Sequence, residues 1–130
     1  MKKFTLSKPE RLSSEKEIGK LFTEGQNLTV YPIRLIWRES VPESIQEFPL
    51  QVMFSVSKKS FAKAVDRNRI KRLMREGFRL LKPDLYESLQ SAKTFHLALI
   101  YIGDQLPDFI TIQKTLATAL ERWMKKSRKG

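Results

Sequence analysis

The chain contains no cysteine and a single histidine, His96. Without cysteine there is no disulfide framework, no cysteine-ligated zinc or iron–sulfur cluster and no thiol nucleophile. One histidine also argues against a histidine-based metal cage and a conventional catalytic triad. His96 lies in an apolar stretch, and we interpret it as a hydrogen-bonded structural residue. We therefore expect no catalytic residue and no metal site in the protein itself.

Long apolar runs are also missing. The apolar stretches are short, such as residues 97–102, whereas a membrane-spanning helix needs roughly 20 apolar residues. The N-terminus begins with Lys2 and Lys3 but becomes polar by residues 8–11, so no signal-peptide core follows. We expect a cytoplasmic protein with no membrane partner.

Positive charge is abundant. The 130 residues, enough for a single domain over residues 1–130, include 25 Lys and Arg against 14 Asp and Glu, a net charge of +11. A surface this positive attracts polyanions such as nucleic acids. Residues 58–82 alone carry +8. Residues 121–130 carry +4, which we interpret as a solvated basic C-terminal end.

The periodicity of apolar residues predicts three helices and a sheet. Ser13 or Ser14 caps a first helix that ends near Glu24, before Gly25. Alternating residues predict strands at 31–38 and 51–57, with a short strand before them at 28–30. The sheet also contains a strand at 95–102, almost wholly apolar and therefore central.

The remaining segments complete this outline. A second helix covers residues 62–82 and is expected to end at Pro83, and a third covers residues 108–126. Residues 39–49 read as a loop between two strands. This order predicts an α+β or α/β sandwich with a mixed sheet, in which a strand–helix–strand unit would ordinarily have a right-handed crossover.

The helix at residues 62–82 has an apolar face and an opposite, basic face when residues are placed at 100° intervals. We expect this basic face to carry no acidic residue. Charged faces usually alternate in sign, because like charges four residues apart repel. A phosphate backbone that neutralises the repeated charge explains the face better than chance does, although the pattern does not distinguish RNA from DNA. The face comprises Asn68, Lys71, Arg72, Arg75, Arg79 and Lys82.

Two stretches closely resemble the signature of the protein component of bacterial ribonuclease P. Residues 54–59 read FSVSKK, and residues 64–79 read AVDRNRIKRLMREGFR. The most specific part is the tripeptide at 67–69 together with the basic residues that follow it. The resemblance extends over nearly the whole chain, from the residues before the first helix to the basic last helix.

The resemblance implies a two-layer α–β sandwich with a mixed sheet of about four strands and an unusual left-handed βαβ crossover. It implies a non-catalytic RNA-binding subunit of an endoribonuclease, the ribonuclease P holoenzyme, which removes the 5′ leader from precursor tRNA. The partners are the catalytic RNA and precursor tRNA, with no obligate protein partner. In such enzymes the RNA holds the catalytic magnesium ions, so we expect the isolated protein to be inactive and to bind no cofactor.

Site residues follow from the same resemblance. The basic motif matches positions that contact the catalytic RNA and part of the leader-side surface, and Arg79 extends the stripe. The RNA-binding candidates are Lys59, Arg67, Asn68, Arg69, Lys71, Arg72, Arg75 and Arg79.

A leader groove is expected between the first helix and one face of the sheet. Its matching positions are Ile18, Phe22, Arg34 and Ile36. Because Ile18 and Ile36 stand where aromatic residues occur in the family, less base stacking is expected, and Arg34 could supply a phosphate contact or a guanidinium stack. Phe22 could equally well be a core residue.

Two other functional classes stay open at this point. A ribosomal or general RNA-binding protein would share the charge and the sandwich architecture, but it would not need the motif at residues 67–75. A DNA-binding regulator would place the basic helix in a major groove, yet the sequence has no helix spaced as in a helix-turn-helix and no dimerisation heptad.

Overall fold

The computed structural model describes residues 8–40, 48–89 and 93–129, and most of the predicted 39–49 loop lies outside them. Within these residues a short 3₁₀ helix is followed by three helices and four strands, the numbers that the apolar periodicity predicts. In chain order the elements are the 3₁₀ helix Lys8–Glu10, α1 Glu15–Glu24, β1 Gln26–Val30, β2 Ile33–Ser40, β3 Leu50–Val56, α2 Ala64–Ser88, β4 Thr94–Tyr101 and α3 Phe109–Lys129.

The four strands form one mixed sheet in the order β1-β2-β4-β3. The β1–β2 and β2–β4 pairs are antiparallel, whereas β3 and β4 are parallel. The parallel pair is joined through α2, which makes β3–α2–β4 the predicted βαβ unit. The expected α+β fold with a mixed sheet is therefore confirmed, and the left-handed sense of the crossover stays a prediction.

The main core lies between one face of the sheet and the helix pair α2–α3. Leu35, Leu99, Met74, Phe78 and Trp123 are all fully buried there. Residues 95–99 of β4 are buried without exception, as expected for a central strand covered on both faces. This packing fixes α2 along β3, with its opposite face turned to solvent.

On the opposite face of the sheet lies α1. Its Leu21 packs with Ile36 of β2 and Ala98 of β4 in a second, smaller cluster. Ser14 caps the helix by accepting a 3.3 Å hydrogen bond from the Glu17 backbone N–H, which confirms the predicted start. The position of α1 leaves part of this sheet face uncovered.

Gly25 ends α1, as predicted, but it does not adopt the left-handed backbone conformation that commonly favours glycine after a helix. Its φ is −73°, outside the left-handed region, so glycine is not needed for its backbone angle. A Cβ at this position would instead lie 3.0 Å from the Trp37 carbonyl oxygen, 2.9 Å from an Ile36 methyl carbon and closer still to the Leu21 carbonyl oxygen. Glycine is required because the backbone at Gly25 packs directly against β2, which leaves no room for a side chain.

Pro83 does not end α2, so the predicted end at this residue is wrong. The helix continues to Ser88 with Pro83 inside it. A proline in a helix loses one backbone hydrogen bond and crowds the preceding turn. Contacts beyond it offset this cost, because Leu85 is buried in the core and the Tyr86 hydroxyl donates a 2.6 Å hydrogen bond to Glu10.

In the described parts of the chain, no helix combines the length and apolar character needed to cross a membrane.

Candidate nucleic-acid interface

The turn between β3 and α2 carries the first basic residues of the candidate site. Lys59 is exposed there. Arg67, in the first turns of α2, is half-buried, and its Nη1 donates 2.8 Å hydrogen bonds to the carbonyl oxygens of Phe61 and Ala62. Arg67 therefore fixes the shape of the turn, and a contact with RNA must use its remaining N–H donors.

The middle of α2 is two-faced, as predicted. Ile70, Met74 and Phe78 are fully buried, which turns the other side of the helix outward. Lys71 is half-buried at the boundary. Four of the candidate RNA-binding residues are exposed on the outward side, and we call them the exposed stripe: Asn68, Arg69, Arg72 and Arg75.

Arg79 continues the stripe but is paired with an acid. Its Nη2 and Nε donate hydrogen bonds of 2.7 Å and 3.0 Å to the two carboxylate oxygens of Glu76. The hydrogen bond from Arg79 lowers the pKa of Glu76 below its ordinary value. The expectation of an acid-free basic face is therefore wrong, since Glu76 offsets part of its charge.

Lys82, also assigned to the basic face, points into the protein. It is 4% exposed, and its Nζ lies 3.0 Å from Oε2 of Glu10, which is 1% exposed. The Tyr86 hydroxyl shares the same carboxylate, and burial together with this hydrogen bond raises the pKa of Tyr86. The placement of Lys82 on the basic face is therefore wrong, because this buried network holds its charge away from solvent.

A second candidate surface is the part of the sheet that α1 leaves uncovered. Arg34 of β2 is exposed and is in register with Ile100 of β4, which in turn faces Ser55 of β3. Ile18 of α1 and Ile100 are both half-buried and pack against the smaller cluster. These side chains share the sheet face that carries α1, and they mark the place where the leader groove is expected.

The other two leader-groove candidates differ sharply in exposure. Phe22 lies one turn after Ile18 on α1 and is 46% exposed, so the alternative of a core role for Phe22 is wrong. Ile36, by contrast, is 5% exposed beneath α1 and offers almost no surface to a nucleotide. The resemblance assigned Ile36 to the leader groove, whereas the structure shows that α1 covers it.

Ion pairs attach α1 to this face of the sheet. Arg38 of β2 lies 3.8 Å from the Glu17 carboxylate and 3.6 Å from that of Glu24. Glu17 is also 3.9 Å from Nδ1 of His96, which is buried and has no hydrogen-bond partner within the described residues. Burial lowers the pKa of His96, which the nearby Glu17 raises in part. The expected hydrogen bond is thus absent at Nδ1, and His96 lies buried in β4 on the sheet face that carries α1.

Sequence reasoning missed the groove residues that come from distant strands. Ser55 and Ile100 join Arg34 only through the register of three strands, which no local pattern reveals.

Within residues 8–40, 48–89 and 93–129, His, Asp and Glu side chains nowhere gather in a group of three that could hold a metal ion.

Comparisons with known proteins agree with this geometry. The family model described as Ribonuclease P matches residues 6–124. The Ribonuclease P protein component of Porphyromonas gingivalis is 40% identical over 120 residues, covering 92% of this chain and 86% of the relative. That of Chlorobium phaeobacteroides is 34% identical, with coverages of 87% and 84%.

Solved structures give the same result for the fold. The RNase P protein from Thermotoga maritima superimposes with a TM-score of 0.67 at 25% identity, covering 87% of this chain and 96% of that one. The RNase P protein of Staphylococcus aureus gives a TM-score of 0.67 at 20% identity, with coverages of 86% and 93%. The fold is thus shared over most of each chain.

Proposed function

Since this chain belongs to the ribonuclease P protein family, we propose that it binds the catalytic RNA of ribonuclease P and positions the 5′ leader of precursor tRNA for removal. The observation that carries the proposal is the exposed stripe of α2. Arg69, Arg72 and Arg75 project from a helix whose other face is fixed in the core. Closely spaced, planar guanidinium groups suit a phosphate backbone, because each can form two hydrogen bonds with a phosphate.

The groove on the other face of the sheet supports a role in binding the leader. Phe22 offers an exposed ring for base stacking, and Arg34 offers a positive charge on the sheet face that carries α1. Single-stranded RNA is commonly held by this combination of an aromatic platform and a cationic groove. Because β3 borders both the groove and α2, one short strand separates the two RNA-binding surfaces.

We further propose that the RNA subunit performs the chemistry and that the isolated protein is inactive. Hydrolysis of a phosphodiester with metal ions requires convergent acidic ligands, and the protein's contribution is instead electrostatic and positional. The magnesium ions would be held in the RNA active site, and the holoenzyme would act in the cytoplasm.

Reconstitution tests this proposal. The protein is mixed with bacterial ribonuclease P RNA and precursor tRNA at a magnesium concentration too low for the RNA alone, and leader removal is followed on a gel. We expect cleavage only when protein and RNA are both present. Absence of stimulation, or cleavage by rigorously RNA-free protein, would contradict the proposal. A general RNA-binding protein would bind the RNA without restoring site-specific cleavage.

A further inference from the structure

Phe54 of β3 lies directly beneath the exposed stripe. Its half-buried ring contacts Phe78 of α2 edge-on, with centroids 6.0 Å apart and an interplanar angle of 72°. The guanidinium carbon of Arg75 lies 5.8 Å from the centroid of the same ring. One aromatic side chain therefore connects the core to an exposed arginine of the proposed RNA-binding surface.

We infer that Phe54 is a positioning residue that orients Arg75 for binding an RNA phosphate. The inference rests on the proposed function. A solvent-exposed arginine samples many rotamers and loses that freedom when it binds a ligand. A ring beneath the guanidinium restricts this motion before RNA arrives, so less conformational entropy is lost on binding.

The type of contact leaves the donors of Arg75 available. The cation–π attraction acts on the charge of the guanidinium and needs no hydrogen bond to an oxygen acceptor, whereas bidentate phosphate binding uses the N–H groups. Arg67 and Arg79 are held differently, because their N–H groups are hydrogen-bonded to backbone carbonyls and to Glu76. Among these three arginines, Arg75 is the one held without the use of an N–H group in the described contacts.

The ring that holds Arg75 is itself rigidly placed. Phe54 pairs in register with Leu99, a fully buried residue of the central strand β4. Its neighbour Ser55 faces the leader groove through its register with Ile100. Phe54 therefore holds Arg75 at a fixed distance from the groove, on the strand that borders both RNA-binding surfaces.

A double-mutant cycle tests the inference. Affinity for ribonuclease P RNA is measured for the unaltered protein, Phe54→Leu, Arg75→Ala and the double variant. We expect Phe54→Leu to weaken binding by about three- to tenfold, with no further loss when Arg75 is already alanine. Phe54→Trp, which keeps an aromatic face, should restore most of the affinity. Phe109→Leu makes the same change at a half-buried ring of α3 and serves as the control for lost packing.

The outcomes separate the inference from the proposed function. Equal losses from Phe54→Leu in both backgrounds, or no loss in a variant that melts normally, would overturn the inference alone. If Arg75→Ala leaves RNA affinity unchanged, the proposed α2 interface is itself wrong at this position. Should Phe54→Leu melt below the assay temperature, Phe54→Met, whose flexible side chain fills irregular space, replaces it in the same cycle.

Discussion

Lys82 and Glu10 form a buried ion pair, with Nζ 3.1 Å from Oε1 and 3.0 Å from Oε2 of the carboxylate. The pair joins the 3₁₀ helix at the start of the described chain to α2, one residue before Pro83. Residues 11 and 12 then run beside β3, where the Leu12 backbone N–H donates a 3.0 Å hydrogen bond to Val52. The pair therefore stabilises the fold around the RNA-binding helix without contributing to its exposed charge.

Lys82→Met should strongly destabilise the protein, because it leaves a buried carboxylate without its cation. Removal of one partner of a buried pair typically costs about 3–5 kcal/mol. Urea denaturation measures the loss of unfolding free energy. Lys71→Met, at the boundary of the stripe, is the matched control and should change stability by less than about 1 kcal/mol. Similar stabilities of the two variants would contradict the conclusion that Lys82 forms a buried, stabilising ion pair with Glu10.

Gly25→Ala should destabilise the protein by about 1–3 kcal/mol, as expected for an atom inserted into a packed contact. Its Cβ would collide with backbone oxygens of α1 and β2. Gly19→Ala provides an internal control within the same helix, because a Cβ at Gly19 meets no atom within 4 Å. The free energy of unfolding of that variant should rise by about 0.5–1 kcal/mol, because alanine favours a helix more than glycine does. The melting temperatures of both variants test these expectations. A Gly25→Ala variant that melts above the unaltered protein would refute the steric argument.

His96 should make the protein less stable in mild acid. Burial lowers its pKa in the folded state, so below an unfolded pKa of about 6.5 the unfolded chain takes up a proton that the folded protein resists. The contribution of neutral His96 to the free energy of unfolding is therefore complete above this pH. It declines as the pH falls through the folded-state pKa. Urea midpoints at about pH 7.5 and pH 5.5 should differ less in His96→Gln than in the unaltered protein. An identical difference in both proteins would contradict the prediction.

Phe22→Leu should weaken binding of precursor tRNA by the holoenzyme more than binding of mature tRNA, which has no leader. Stacking of a base on an aromatic ring contributes roughly 1–3 kcal/mol, or about fivefold or more in the ratio of the two affinities. Because Phe22 is largely exposed, the melting temperature should change little. An unchanged affinity ratio would contradict the proposed role of Phe22 in leader binding.

Local sequence patterns predicted the elements and their order. The Ser14 cap, the alternation in β2 and β3 and the apolar run of β4 each depend on neighbouring residues. The cap is at the expected residue, and the strands lie within two residues of their expected bounds. The pairing of Arg79 with Glu76 was also accessible from sequence, because residues three apart on a helix are neighbours. Counting that pair would have corrected the expectation of an acid-free face.

Other features depend on residues far apart in the chain. Lys82 is buried because Glu10, 72 positions earlier, meets it in the core. The continuation of α2 beyond Pro83 depends on the same carboxylate through Tyr86. Ile36 is buried because α1 crosses the second face of the sheet. Helical periodicity and proline rules describe single elements, so they contain no information about these partners.

The salt dependence of affinity for ribonuclease P RNA tests the central claim most directly. Each lost phosphate contact should reduce the slope of log affinity against log salt by up to about one. The double variant Arg72→Ala/Arg75→Ala should therefore bind more weakly and show a slope shallower by up to about two. Lys114→Ala/Arg122→Ala removes the same charge from exposed positions of α3 and should leave the slope nearly unchanged. An unaltered slope for the α2 variant with its fold intact, or equal losses in the two variants, would contradict the assignment of the RNA-binding surface to α2.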